Sequence, residues 1–217
     1  MRHKAWARPE LASCPFCVQD PPALRQLWAY AFPKQQPLVL ELGCGKGVFL
    51  ARTACDDPDT NYIGVDIKSE VLAPAKRCIE TVYAQAGRDV SNVLLLSFDI
   101  TRIPLIFSEI DTVSRIYINF PNPWPKERHQ KRRLTHRRQL MNYRAFLADH
   151  GEIFFKTDDQ PLFEDTLNYL AECGYGLQAV SRDYHADFPG SLVYLSEYEE
   201  MFTARGLPTY YIEAFKE

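Results

Sequence analysis

Long apolar runs are missing: no stretch approaches the ~18 residues that a membrane-spanning helix requires. The opening Met1-Arg2-His3-Lys4-Ala5-Trp6 also lacks the apolar core of a secretory leader, so a cytoplasmic location is expected. Cysteine is sparse. Six cysteines scattered through 217 residues do not make a secreted disulfide framework, and reduced thiols are expected. Cys14 and Cys17 have the spacing of a metal or redox pair, but a zinc site needs two more ligands. Neither a second cysteine pair nor a histidine pair at ligand spacing is present. The pair reads as a proline-bearing turn with two packed thiols, and no metal is expected. Repeats, low-complexity tracts and Gly/Ser linkers are absent as well. That leaves one principal domain, residues 38–217, preceded by an N-terminal extension, 1–37, that could contribute to a nucleic-acid or cofactor site.

What is present is an ordinary globular composition, 46% apolar and 24% charged with net charge −3, which excludes disordered and fibrous classes. A chain of this length buries roughly 70% of its unfolded surface. The charge is unevenly placed. Between Lys126 and Arg144 eight Lys or Arg stand against the single acid Glu127, a local charge of +7 in a remainder of −10. Such a block draws a polyanion to one face, or it is a solvated helix balanced by tertiary acids.

Short β-branched runs at Leu38–Leu42, Asn61–Ile67, Val93–Phe98, Arg115–Phe120 and Glu152–Thr157 read as strands, several of them almost wholly apolar as strands covered on both faces must be. Helical stripes lie between them. One follows the glycines near Val48; one runs through Val71, Ala75, Ile79, Val82 and Ala86; one runs through Phe163, Leu167 and Leu170, between Pro161 and Gly174. Pro74 either kinks the second stripe or marks its start. Alternation of this kind predicts an α/β fold with a parallel sheet doubly wound by helices, whose ligands lie beyond the carboxyl ends of the strands.

The residues after each strand are therefore the ones to inspect. Glu41-Leu42-Gly43-Cys44-Gly45-Lys46-Gly47 places three glycines at alternate positions before a helix. This is not the G-x-G-x-x-G of a dinucleotide site. A carboxylate at Glu41 repels pyrophosphate but suits a ligand with ammonium and sulfonium charges, which points to S-adenosylmethionine (SAM). Asp66 ends the second strand, where a carboxylate can accept from both ribose hydroxyls. Asp99, after Ser97-Phe98, ends the third, where the adenine edge can be read. Either acid alone is commonly a cap. The fourth strand runs into Pro121-Asn122-Pro123-Trp124-Pro125-Lys126, a loop stiffened by alternate prolines that reads as holding a planar base, with the basic stretch gripping phosphates.

In these motifs the sequence resembles the bacterial tRNA (guanine-N7-)-methyltransferases. The similarity runs over Arg2-His3-Lys4, Glu41–Gly47, Asn61–Asp66, Asn119–Arg133, Phe155-Lys156-Thr157-Asp158 and Ser196–Phe202. The resemblance implies a class I SAM-dependent methyltransferase fold, Rossmann-like, mostly parallel with an antiparallel C-terminal strand. It also implies methylation at N7 of a guanine in the tRNA variable loop. Carried over, it makes Glu41, Gly43, Gly45, Asp66, Asp99 and Asn122 cofactor positions, and Asn122 and Asp158 catalytic positions. Lys126, Asp158, Ser196, Glu197, Tyr198 and Glu199 become substrate positions, and Arg128, Lys131, Arg132 and Arg133 the RNA-binding segment. SAM and tRNA are then the cofactor and partner, with the chain a monomer or homodimer. One departure stands out, because the family usually has Asp where this chain has Asn122. Two other readings follow: an RNA-binding module of the same fold with impaired catalysis, or an exocyclic-amine methyltransferase, whose Asn-Pro-Pro-aromatic motif Asn122-Pro123-Trp124 partly matches.

Overall fold

The computed structural model describes residues 5–189, 199 and 206–217, in two compact units, 1–111 and 112–217.

The first unit carries strands β1 (Cys17–Val18), β2 (Leu38–Leu42), β3 (Asn61–Asp66) and β4 (Val93–Ser97), with helices α1 (Ala7–Ala12), α2 (Val48–Asp56) and α3 (Ser69–Gln85). Its strands are all parallel and ordered β1-β4-β3-β2. Every residue of β2 and the first five of β3 are buried, as the continuous apolar runs require of strands covered on both faces. In-register pairing sets Leu42 opposite Val65 and Asp66 opposite Ser97, so the ends of β2, β3 and β4 lie side by side. Pro74 is neither a start nor a stop: α3 begins five residues earlier and runs through it, giving up one intrahelical bond.

Residues before Leu38 are part of this unit's core. Trp28 is buried, stacks on Phe107 with ring centroids 5.1 Å apart, and donates its indole N–H to the Ile106 carbonyl at 2.6 Å. Cys14 and Cys17 are buried free thiols in a turn closed by Cys17 N–H donating to Cys14 O at 3.2 Å. A thiol-thiol hydrogen bond lowers the pKa of Cys14 and raises that of Cys17.

The second unit carries β5 (Val113–Asn119), β6 (Leu147–Thr157), β7 (Tyr175–Ser181) and β8 (Tyr210–Lys216), with α4 (Arg137–Phe146), α5 (Gln160–Glu172) and α6 (Tyr184–Asp187). Strand order is β5-β6-β8-β7. β5 and β6 are parallel, and the C-terminal β8 runs antiparallel between β6 and β7. Helix α5 starts on Asp159, whose carboxylate accepts from Leu162 N–H at 2.7 Å, with Pro161 in its first turn. The basic stretch, for which a single solvated helix is one of two readings, is divided. Residues Glu127–Arg132 form a 3-10 turn, and α4 starts separately at Arg137. Among the described residues no helix is long and apolar enough to cross a membrane.

Candidate functional site

In the first unit the glycine loop links β2 to α2. Gly43, Gly45 and Gly47 all adopt left-handed backbone, with φ of 82°, 55° and 69°, a conformation that costs any L side chain energy. The loop is pinned to β3: Gly43 and Cys44 N–H groups donate to Val65 O at 2.8 and 3.1 Å. Gly45 N–H donates to Asp66 Oδ2 at 3.3 Å. Gly47 is packed so closely that a Cβ would lie 2.9 Å from the Ala75 Cβ of α3. Gly45 faces open space, its nearest neighbour being 4.0 Å from such a Cβ.

Glu41 is 3% exposed at the end of β2. The thiol pKa of Cys44, in the loop, is pushed well up, first by burial and then by the charges of Glu41 and Asp66. The two carboxylates therefore converge on the loop and make its surroundings electronegative. Asp66 Oδ1 also accepts from Lys68 N–H at 3.0 Å. Asp99 ends β4 and caps the 3-10 turn Ile100–Leu105, its Oδ1 accepting from Thr101 N–H at 2.9 Å and Thr101 Oγ1–H at 2.7 Å. Beyond β3 and β4 opens a cavity of about 370 Å³ walled by Ile67, Ser97 and Leu72, and on its other side by Arg8, Leu11 and Gln19 of the N-terminal segment. The sequence allows the extension 1–37 a part in such a site but singles out none of these residues, because nothing in a two-residue strand and a six-residue helix marks them.

In the second unit, Asn122 and Asp158 follow the paired ends of β5 and β6, where Asn119 stands opposite Lys156. Phe120 N–H donates to Lys156 O at 2.9 Å. Phe120 and Trp124 are both left-handed, φ 47° and 43°, a strain of about 1–3 kcal/mol each for non-glycine residues. Asn122 is exposed, and its Oδ1 accepts from Trp124 N–H at 3.1 Å. That bond fixes which end of the amide points where: the oxygen serves the turn, and the Nδ2 donors are left to face outward. An aspartate would make the same turn, so replacing it by Asn122 preserves the loop while removing a charge. Trp124 meets His129 edge-on at 5.6 Å and lies under the Arg132 guanidinium at 5.1 Å. Asp158 is exposed, whereas its neighbour Asp159 is engaged in capping α5.

The basic positions separate by burial. Lys126, Arg128, Lys131 and Arg132 are exposed, but Arg133 is 2% exposed. Its Nε–H donates to Pro123 O at 2.8 Å and its Nη1 pairs with Asp165 Oδ2 at 2.5 Å. Arg133 is thus turned inward, away from any phosphate surface that its neighbours offer. Glu199 is also buried, 1% exposed, with Lys156 Nζ at 2.7 Å and His185 Nε2 at 3.7 Å. Lys156 Nζ lies 4.0 Å from the Tyr184 ring centroid. Ser196, Glu197 and Tyr198 lie outside the described residues, as do Arg2, His3 and Lys4. Among the described residues no group of three His, Cys, Asp or Glu is placed to hold a metal ion.

The fold and a family match together define a methyltransferase. Residues 35–212 match a family model described as "Putative methyltransferase". Solved structures with the same fold include a 16S rRNA methyltransferase, KamB, with a TM-score of 0.61 at 13% identity, covering 84% of this chain and 88% of that one. A 16S rRNA (adenine(1408)-N(1))-methyltransferase solved with cosubstrate SAM gives 0.55 at 17% identity over 92% of each chain. The α/β sheet expected from the strand and helix pattern, and the class I fold with an antiparallel C-terminal strand that the resemblance implies, are the ones observed.

Sequence relatives narrow the class. A tRNA (guanine-N(7)-)-methyltransferase of Clostridium beijerinckii is 49% identical over 100% of this chain and 99% of its own length. Proteins of the same name from Clostridium perfringens strain 13 and Acetivibrio thermocellus are 48% and 44% identical, again over 100% of this chain and 99% of their own lengths. The chain belongs to the bacterial tRNA (guanine-N7-)-methyltransferase family.

Proposed function

We propose that this protein transfers a methyl group from SAM to N7 of a guanine in the variable loop of tRNA. The observation that carries the reading is the Gly43–Gly47 cradle flanked by Glu41 and Asp66. A Cβ on Gly47 has no room, the open space lies over Gly45, and both carboxylates bear on the loop. Those residues fit SAM: backbone that a ligand can approach without a side chain in the way, and negative charge for an ammonium and a sulfonium. In this reading Asp66 receives the ribose hydroxyls and Asp99 borders the adenine, alongside its capping bond. When bound, SAM supplies an electrophilic methyl carbon.

The chemistry left to the protein is orientation and charge. Guanine N7 carries an in-plane lone pair and no proton, so no base has to act before transfer. Asn122 matches that requirement, since its oxygen is committed to Trp124 N–H and its amide donors can only orient a ligand. A rigid, strained loop keeps Asn122 and Trp124 in place. Asp158, exposed at the end of β6, can accept hydrogen bonds from guanine N1 and N2 and so distinguish guanine from adenine. Lys126 and the segment Ser196–Glu199 belong to the same substrate role. Arg128, Lys131 and Arg132 supply phosphate contacts to folded tRNA, which places the work in the cytoplasm, by a monomer or homodimer.

The test offers methyl-labelled SAM with unmodified tRNA and with the same tRNA carrying 7-deazaguanine at the variable-loop target. Labelling of the first and not the second is expected. Equal labelling of both would overturn N7 as the acceptor.

A further inference from the structure

We propose that Arg133 is a positioning residue of the Pro121–Pro125 loop: anchored by Asp165, its guanidinium ties down the Pro123 carbonyl and thereby sets Asn122 and Trp124. The inference rests on the reading of that loop as the one that orients the reacting base.

The loop needs an outside anchor. Pro121, Pro123 and Pro125 have no N–H to donate, and of the two remaining amides Trp124 N–H is committed within the turn, to Asn122 Oδ1. Left-handed backbone at Phe120 and Trp124 persists only where surroundings hold it. Arg133 supplies such a hold. A guanidinium presents its donors in a fixed planar fork, and here Nε–H reaches Pro123 O at 2.8 Å while Nη1 reaches Asp165 at 2.5 Å.

The other end is firm. Asp165 stands on α5, between Phe163 and Thr166, which are buried. Two residues beyond Arg133, Thr135 is buried and shares a 2.7 Å hydroxyl contact with Thr166. Arg133 and Thr135 thus press one side of this segment onto α5, while Lys131 and Arg132 stay exposed. With 3% of its side chain exposed, Arg133 has little surface for a phosphate. Its charge is answered by Asp165, whereas its exposed neighbours are free to meet RNA.

The variants Arg133→Met and Asp165→Asn test this with tRNA methylation kinetics, salt-dependent tRNA binding, and 19F NMR of protein labelled with 5-fluorotryptophan. The three tryptophans give three resonances, and Trp124→Phe identifies the relevant one. Expected for R133M is a fall in kcat of about 10- to 100-fold, a tRNA KM within about threefold and an unchanged slope of log Kd against log salt. D165N should move kcat the same way, and both should shift the Trp124 resonance without tRNA or SAM present. A salt slope smaller by about one in R133M at unchanged kcat would make Arg133 a phosphate contact and overturn the proposal. So would D165N binding tRNA more tightly at unchanged kcat, or a Trp124 resonance that stays put in both variants. The resonance needs neither ligand, so a wild-type protein that methylates no tRNA would sink the proposed function while leaving the tether to be judged by NMR.

Discussion

Alanine at three glycines separates what the proposed SAM cradle costs from what it does. Gly45, Gly47 and Gly87 all have φ between 55° and 69°, so Ala at each meets the same left-handed penalty of about 1–2 kcal/mol. Part of it is offset by about 0.4–1 kcal/mol from a stiffer unfolded chain. The surroundings differ. Nothing lies within 4 Å of a Cβ on Gly87, and on Gly45 the nearest atom is at 4.0 Å. On Gly47 the new methyl would meet Ala75 Cβ at 2.9 Å and Ala75 Cα at 3.2 Å, between α2 and α3, an overpacking worth about 1–3 kcal/mol more. Urea denaturation should therefore show G87A and G45A losing about 1 kcal/mol each and G47A about 2–4 kcal/mol, at unchanged m. Calorimetric titration with SAM should rank them otherwise. G87A binds as wild type, while G45A, whose methyl projects over the open face of the loop, loses at least tenfold in affinity despite its small stability cost. If G45A binds SAM as tightly as G87A, the loop is only a tight strand-to-helix turn and the cofactor site lies elsewhere.

Three further outcomes follow from single side chains. His136 caps α4 by accepting Arg138 N–H on Nδ1 at 3.2 Å, and its pKa is lowered from about 6.5 by burial, with Arg137 and Lys131 adding to the effect. A depressed pKa means stability present above pH 6.5 and lost as pH falls through the folded value, so amide protection at the start of α4 should drop between pH 7 and 5 in wild type but not in His136→Asn, which keeps an acceptor. Lys156→Met strands the buried Glu199 carboxylate without its lysine and should cost about 3–5 kcal/mol in urea unfolding, most of it regained in Lys156→Met/Glu199→Met; an additive double variant would refute the pairing. Asp158→Ala should lower methylation of a guanine-containing tRNA and erode its preference over an adenine-substituted one, and an unchanged preference would remove Asp158 from base recognition.

The strands flanking the sites were legible because they are buried on both faces and read as unbroken apolar runs. β2, β3 and β4 begin where the pattern places them. Errors fall where the pattern weakens. β6 starts at Leu147 rather than Glu152 because its first residues include Gly151 and left-handed His150, and the register with β5 shifts there. β7 alternates poorly, with its middle residues exposed, and carries no strand signal of its own. Glu41, Asp66 and Asp99 are singled out by position and Asp158 by resemblance, but neither tells that Asp158 is exposed while Asp159 caps α5, nor which of Asp66 and Asp99 caps a helical turn. Arg133 is the sharpest case. In a run of cations each side chain looks equivalent, and only the packing of its segment on α5 turns this one inward.

Cys44 puts a constraint on the proposed chemistry. A thiol inside the proposed SAM cradle is a hazard, since a thiolate is a stronger nucleophile than a guanine ring nitrogen and would compete for the methyl group. The structure suppresses it twice. Burial raises the Cys44 pKa well above 9.0, and the charges of Glu41 and Asp66 raise it further, so at neutral pH the sulfur remains protonated and poorly nucleophilic. Burial thus keeps the loop's own cysteine silent, and the carboxylates assigned to the cofactor add to it. Prolonged incubation with SAM at pH 7.5 should leave Cys44 unmodified by peptide mass spectrometry, and a thiol-specific disulfide reagent should label it more slowly than half-buried Cys78. Because burial is the larger cause, Glu41→Gln should weaken SAM binding while leaving Cys44 unreactive. Methylation of Cys44 in the wild-type protein would mean that the thiol is ionised, and that this loop does not bury it as described.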